Sequence, residues 1–567
     1  MTAIRSHKQK ALIQLALLLA ILIFVNILSS GLYTRIDLTQ EKRFTLAEPT
    51  KQMLAELEDM VYVKIYLEGE FPAGFKRLRN SAQEMLDEMR SYSNNKIDYE
   101  FIDPFEGVGA EEKQEIYNQL VQKGLEPTNL QVQGQEEYSE RIIFPGALFN
   151  YRGKEIAVHL LHNQFGQGPQ EALNTSVILL EYKFTKAIRN LTTSYKPQLA
   201  FTEGHGELLD EDIEDLARSL QEFYTMVRFD LSEEIAIPQE YSCLVIAKPT
   251  KKFNKQDKYK IDQFIMNGGK VLWLVEGVKA DMDSLQNKNE FFTQINDLNL
   301  DDILFKYGVR VNFDLVQDLY CNPIPLVIGF QGDMPQSKLY PWYYFPVFTS
   351  RNDHPINKNL DVVSSQFCST IDTVGAKKVK KTVLMATSDY TKVMPHPVKV
   401  HLGIMREEPD PSRFTKKSQP TAVLLEGIFE SVFKNRLTPE TMQMIDTVQK
   451  LPYLEQSVET KMVIIADGDI MKNERSSGGL GYPLGYYPFT EQTFANKDLL
   501  LNIFEYLVGD AGLMETRSKE ITLRMLDTRK VKEEKFKWQL INIGVPLALV
   551  LIFGFIYNFI RKRKYAI

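Results

Sequence analysis

Cysteine is scarce in this chain. Its 567 residues hold three, Cys243, Cys321 and Cys368. Thiols so few and so scattered cannot build a disulfide framework, although one pair plus a free thiol stays open. No C-x-x-C occurs, so neither a zinc knuckle nor a dithiol redox centre is signalled. The sequence also lacks the G-x-x-x-x-G-K-[ST] loop that cradles phosphates, so no nucleotide-hydrolysis claim follows. It has no G-x-S-x-G or G-x-C-x-G nucleophile elbow. Basic charge is not in excess. Lys and Arg number 67 against 74 Asp and Glu, a formal net charge of −7. That balance argues against a generic nucleic-acid binder, which relies on clustered cations.

What is present first is length and apolar runs. A chain of 567 residues suggests three or four units at roughly 100–200 residues per domain. Ala11 to Leu28 reads ALIQLALLLAILIFVNIL, uncharged and preceded by Arg5, Lys8 and Lys10. We read it as an uncleaved transmembrane anchor, because the following ILSSGLYTR offers no small-residue cleavage site. Leu540 to Ile560 is a second apolar run, followed at once by Arg561, Lys562, Arg563 and Lys564. Pro546 does not exclude a membrane helix. The positive-inside rule then holds both termini in the cytoplasm and sends the large middle to the periplasmic side of a bacterial inner membrane.

Between the spans two α/β parts are expected. Residues 31–192 alternate strand, helix, strand, helix and two strands, from Val61–Leu67 to Lys154–Leu161. That is the order of a thioredoxin-like unit. Its redox chemistry needs a low-pKa cysteine, and this segment has none. Asn174 to Asn190 reads as one bridging helix. His159 and His162 sit three apart in strand-like context, so we assign no metal there. The sequons Asn174-Thr-Ser176 and Asn190-Leu-Thr192 are read as chance matches.

Residues 193–515 read as a doubly wound domain with insertions. Pro197–Thr202, Cys243–Ala247 and Val271–Val275 are apolar strands, and Lys258–Met266 is a helix closed by Asn267-Gly-Gly269. Lys461–Ile465 is a later strand, Gly478–Tyr487 a loop and Asn496–Val508 a helix. Residues 516–539 form a juxtamembrane linker, 540–560 the second span and 561–567 a basic tail.

The chemistry-bearing stretch is Phe201-Thr-Glu-Gly-His-Gly-Glu207, where a strand meets a helix. Ligands of doubly wound folds bind at such edges. Two readings stand. Glu203, His205 and Glu207 form a ligand- or partner-binding edge, or the glycines make a tight turn whose acids complement a helix N-terminus. Asp467 and Asp469 at a later strand end are further binding candidates. Asp353-His354-Pro355 is read as a turn. We assign no catalytic residue, no metal and no cofactor.

Several features in order resemble the GldG family, the auxiliary components of gliding-motility ABC transporters. They are Phe44-Thr-Leu46 after the first span, Gly204-His-Gly-Glu207, Asn267-Gly-Gly-Lys-Val-Leu272, Tyr307-Gly-Val-Arg-Val311, His354-Pro355, Asp467-Gly-Asp469 and the closing span. The resemblance implies a class I glutamine-amidotransferase-like domain without the catalytic cysteine. It implies a non-enzymatic, extracytoplasmic subunit acting with a GldF-like permease and a GldA-like cytoplasmic ATPase. An envelope-acting hydrolase and a pure scaffold of the motility machinery are the alternatives.

Overall fold

The computed structural model describes residues 13–25, 45–133, 138–162, 168–193, 195–285, 288–332, 334–350, 352–406, 409–436, 453–476, 478–509 and 528–565. The chain falls into two compact units, Met1–Lys519 and Glu520–Ile567.

Helix α1 spans Ile13–Val25, within the first apolar run. At 1.5 Å per residue it measures about 20 Å, short of the roughly 30 Å hydrocarbon core. The rest of that run lies outside the described residues, as do Arg5, Lys8, Lys10 and Phe44.

The first α/β part follows the alternation of its apolar residues. It begins with α2 (Glu48–Ala55). Strand β1 (Val61–Ile65) alternates buried and exposed, as a half-buried strand must. Helix α3 (Ala73–Tyr92) buries Phe75, Leu78, Ala82, Leu86 and Met89, a stripe of helical period. Strand β2 (Ile97–Phe101), helix α4 (Ala110–Gln122) and the ribbon of β3 (Thr128–Gln133) and β4 (Tyr138–Ile143) come next. Strands β5 (Gly146–Tyr151) and β6 (Lys154–His159) complete a four-stranded sheet of order β2-β1-β5-β6. β1 and β2 run parallel, whereas β5 is antiparallel to β1 and to β6. The single helix expected over Asn174–Asn190 is two, α5 (Pro169–Ile178) and α6 (Leu180–Thr192), because the chain turns at Leu179. Phe184 of α6 packs on Phe149 of β5 at 5.2 Å.

The second part is built on one ten-stranded sheet. Its parallel half comprises β7 (Gln198–Glu203), β8 (Thr225–Asp230), β9 (Tyr241–Ala247), β10 (Val271–Leu274) and, much later, a strand at Thr460–Ile465. Helix α7 (Glu214–Gln221) follows β7, and α8 (Lys255–Met266) follows β9. Their spatial order is β8-β7-β9-β10 and then the late strand, all parallel. In sequence terms that is 2-1-3-4-5, with a topological switch point between β7 and β9. The central strands are buried on both faces. Cys243 and Val245 enter one core with Leu220 of α7, while Leu244 and Ile246 enter the other with Phe264 of α8. That two-sided burial explains their unbroken apolar sequence.

Helix α9 (Asp301–Tyr307) leads into an antiparallel extension. It consists of β11 (Cys321–Gln331), β12 (Met334–Ser350), β13 (Val379–Ala386) and β14 (Pro420–Gly427), which pairs antiparallel with β15, the late strand Thr460–Ile465. Helix α10 (Asn496–Val508) covers the face opposite α8. Within Gly478–Tyr487, expected as loop, Tyr486–Tyr487 forms a two-residue strand. All three cysteines are free thiols. Burial pushes the Cys243 thiol up to about 12, as suits an inert core position.

In the second unit, α11 (Thr528–Tyr565) is one long helix with Pro546 inside it. Its stretch Glu534–Lys564 is 31 residues long and apolar enough to cross a membrane.

Candidate functional site

The carboxyl ends of β7, β9, β10 and β15 line one edge of the sheet, and two groups of polar side chains meet there.

The first group staples the switch point. After β7 the chain turns through Gly204 (φ +103°) and Gly206 (φ +74°). A Cβ on Gly206 would stand 2.2 Å from Thr250 Oγ1, so only glycine lets the two loops meet. The His205 carbonyl accepts the Thr250 and Lys251 N–H groups at 2.9 and 2.8 Å. Its own N–H donates to Glu207 at 2.7 Å. The imidazole stacks flat on Phe253, 3.8 Å between centroids, and Nε2 lies 3.2 Å from Asp257. Asp257 is itself held by Lys260 Nζ at 2.7 Å and by the Asn254 amide at 2.7 Å. His205 and Glu207 are therefore together and buried, at 4% and 9% exposure. Glu203 points away, 3.7 Å from Arg228 and half exposed.

The second group lies one strand further along. Asp467 and Asp469 follow β15, Lys248 directly follows β9, and Glu276 follows β10 after Val275. Lys248 Nζ sits 2.5 Å from Asp469 and 3.1 Å from Glu276. Its backbone is left-handed, φ +54°, a conformation that long side chains seldom adopt. Asp467 is fully buried. It accepts from Ser365 Oγ at 2.5 Å, from the Gln366 N–H at 2.9 Å and from the Asp469 N–H at 2.7 Å. One carboxylate oxygen from each of Glu276, Asp467 and Asp469 falls within 4.8 Å of the others, a spacing able to hold a metal ion. The Lys248 ammonium supplies the positive charge such an ion would bring.

Burial and mutual repulsion set the protonation. Desolvation, with the charge of Asp469 beside it, lifts Asp467 to about 7. Desolvation, with Asp469 and Asp467 nearby, lifts Glu276 to about 8, and Lys248 only partly offsets this. Burial pulls Lys248 down, but Asp469 and Glu276 outweigh it and its pKa moves up. The site thus holds one fixed cation and two carboxyls that titrate near neutrality.

Of the five residues singled out from sequence, His205 with Glu207 form one cluster, Asp467 with Asp469 the other, and Glu203 joins neither. Lys248 and Glu276 were missed. Their signal is a charged residue just beyond an apolar parallel strand, in Ala247-Lys248 and Val275-Glu276.

Residues 196–503, more than half of the chain, match the family described as ABC-type uncharacterized transport system. The chain belongs to that family. It is an accessory component of an ABC transport system, and with its apolar C-terminal helix it is membrane-associated. Residues 40–150 match a domain of unknown function. An uncharacterized protein of Borreliella burgdorferi (strain ATCC 35210 / DSM 4680 / CIP 102532 / B31) is 21% identical over 578 residues, covering 98% of this chain and 99% of the relative. The solved mmIFT52 N-terminal domain is 13% identical, covers 55% of this chain and 98% of its own, and superposes with a TM-score of 0.30.

Proposed function

We propose that this chain is a non-enzymatic, extracytoplasmic subunit that works with a separate ABC permease and a cytoplasmic ATPase, and that its carboxyl-edge cluster is where a ligand or partner docks. One observation carries the reading. In a member of an ABC transport family, Lys248, Glu276, Asp467 and Asp469 converge from three adjacent strand ends, while the neighbouring switch point is filled by His205. Open α/β sheets bind ligands at this edge. The sequence has no phosphate-cradling loop of its own, so ATP turnover belongs to a partner.

The finer reading follows the GldG-like features. The permease is GldF-like, the ATPase GldA-like and the process gliding motility. Two spans anchor the chain in a bacterial inner membrane with both termini cytoplasmic. The sheet order β2-β1-β5-β6 supports a thioredoxin-like unit over residues 31–192, and the 2-1-3-4-5 order supports an amidotransferase-like domain over 193–515. Isolation of the full chain from native membranes in mild detergent tests this. Mass spectrometry is expected to find a permease and an ATPase at constant ratio, and Lys248→Glu is expected to reduce their recovery. Isolation without either partner would remove the reading.

A second reading is favoured by Asp467 and Glu276, which titrate near neutrality as acid–base catalysts do. An envelope hydrolase would show turnover on ester, amide or glycoside panels that Asp467→Asn and Glu276→Gln abolish. No turnover removes it.

A further inference from the structure

The outer half of the β11–β12 hairpin leaves large apolar side chains in water. Val327 is 55% exposed, Ile328 59%, Phe330 72% and Leu339 42%. Register organises them. Pro325 faces Leu339, Val327 faces Ser337 and Phe330 faces Pro335. Residues opposed in an antiparallel ladder share a face. A bulge between Val327 and Gly329 shifts the register by one residue and returns Phe330 to the face of Val327. Five of these six residues are apolar, and they form one ribbon interrupted only by the small Ser337. The hairpin root is fixed, because Ile324 and Trp342 are buried at 4% and 0%.

Single exposed apolar residues need no explanation, but an aligned ribbon on an otherwise folded arm marks a contact surface. A partner strand is a poor occupant. β11 is the outermost strand of the sheet, and Pro323 and Pro325 on it have no N–H to offer an added strand. Charge complementarity is also absent. Between Pro323 and Pro341 the only charged residues are Asp333 and Lys338, and they cancel.

A bilayer is the environment of the C-terminal helix, which is long and apolar enough to cross one. We propose that the ribbon of Pro325, Val327, Phe330, Pro335 and Leu339 enters the interfacial zone of a lipid bilayer. Insertion of apolar side chains to the boundary of headgroups and acyl chains needs no basic cluster. The two strands bond to each other across the arm, and the backbone groups on its outer edges are hydrated in the headgroup zone, which the hydrocarbon core would not allow. The contact gives a membrane-associated subunit a further point of attachment.

The test uses the full chain, reconstituted in vesicles of neutral dioleoylphosphatidylcholine. Ser337→Cys in a Cys321→Ser background carries an environment-sensitive NBD label, and Lys377→Cys carries the same label at an exposed position off the arm. Replacing the lipid by its brominated form is expected to quench the label at 337 roughly twofold or more and to leave the label at 377 unchanged. Val327→Asp/Phe330→Asp and Leu339→Asp, all exposed positions, are expected to remove the quenching at 337 while the melting transition is retained. Absence of quenching at 337 overturns the proposal. So does quenching that survives both variants, because the label itself would then be the anchor. A blue-shifted label that brominated lipid does not quench overturns it too, in favour of a protein partner.

Discussion

Lys248 lies across Gly468, so that a Cβ on the glycine would stand 2.4 Å from Lys248 Cγ and 2.5 Å from its Cβ. The glycine of Asp467-Gly-Asp469 is thus required by the stem of a residue more than two hundred positions earlier. Gly468→Ala is expected to push Lys248 off the turn, separate its ammonium from Asp469 and cost about 1–3 kcal/mol, the usual range for overpacking. Gly375→Ala, which would meet nothing within 4 Å, is the control and should be near neutral. Urea denaturation of both variants decides. Equal stability would mean that Lys248 moves freely and the cluster is not preorganised.

The same cluster gives stability a pH dependence. Ordinary values are 3.8 for Asp467 and 4.5 for Glu276, while the folded chain lifts them to about 7 and about 8. Between these limits the folded state holds protons that the unfolded chain has released. The contribution is therefore fully present below about pH 4 and lost as pH rises through 7 and 8. Glu276→Gln removes the Glu276 part. Its denaturation midpoint should fall less steeply than that of the parent between pH 5 and 8.5, and exceed it at the alkaline end. Parallel profiles would show that Glu276 ionises as an ordinary carboxylate.

Asp262 on α8 is a buried tie whose loss should be costly. Its carboxylate accepts from Tyr307 Oη at 2.8 Å, Ser431 Oγ at 2.7 Å and the Val432 N–H at 2.9 Å. Asp262→Ala would leave these buried donors without that acceptor, at a cost of about 3 kcal/mol or more. Ser431→Ala removes one donor and should cost clearly less. Melting temperatures of the two variants in detergent give the ranking, and the reverse order would contradict the tie.

How far the sequence reveals this architecture depends on burial. Cys243–Ala247 and Val271–Val275 are legible because both faces of each strand are covered, so every side chain is apolar. Strand β8, Thr225-Met-Val-Arg-Phe-Asp230, is hard to read because it is the sheet's edge and only Phe229 in it is fully buried, with Arg228 and Asp230 breaking the apolar run. The antiparallel extension from β11 to β14 falls within what the sequence shows only as insertions in a doubly wound domain. Pairings between segments far apart in the chain, such as Leu272 with Val463, leave no local period to read. The site shows the same limit. Asp467 and Asp469 stand out as a motif, whereas Lys248 and Glu276 are each one charged residue after a strand. Only the parallel register of β9, β10 and β15 brings all four together.

The geometry of His205 is that of a staple between two loops, the tight-turn reading of the two that the sequence offers. Its ring is packed on Phe253 and against Asp257, and its backbone joins the loops after β7 and β9. Removing the ring loses an aromatic stack and leaves a cavity in a buried site. His205→Ala is accordingly expected to cost about 2–4 kcal/mol of stability. Recovery of permease and ATPase with the folded fraction should be unchanged, because the proposed docking group lies at Lys248, Glu276, Asp467 and Asp469. Lys248→Glu should give the opposite pattern on partner recovery. Thermal melting and quantitative co-isolation, made on the same preparations of the full chain, separate the two effects. If His205→Ala leaves the melting temperature intact but abolishes partner recovery, the histidine turn is the docking edge and the assignment of the two clusters has to be exchanged.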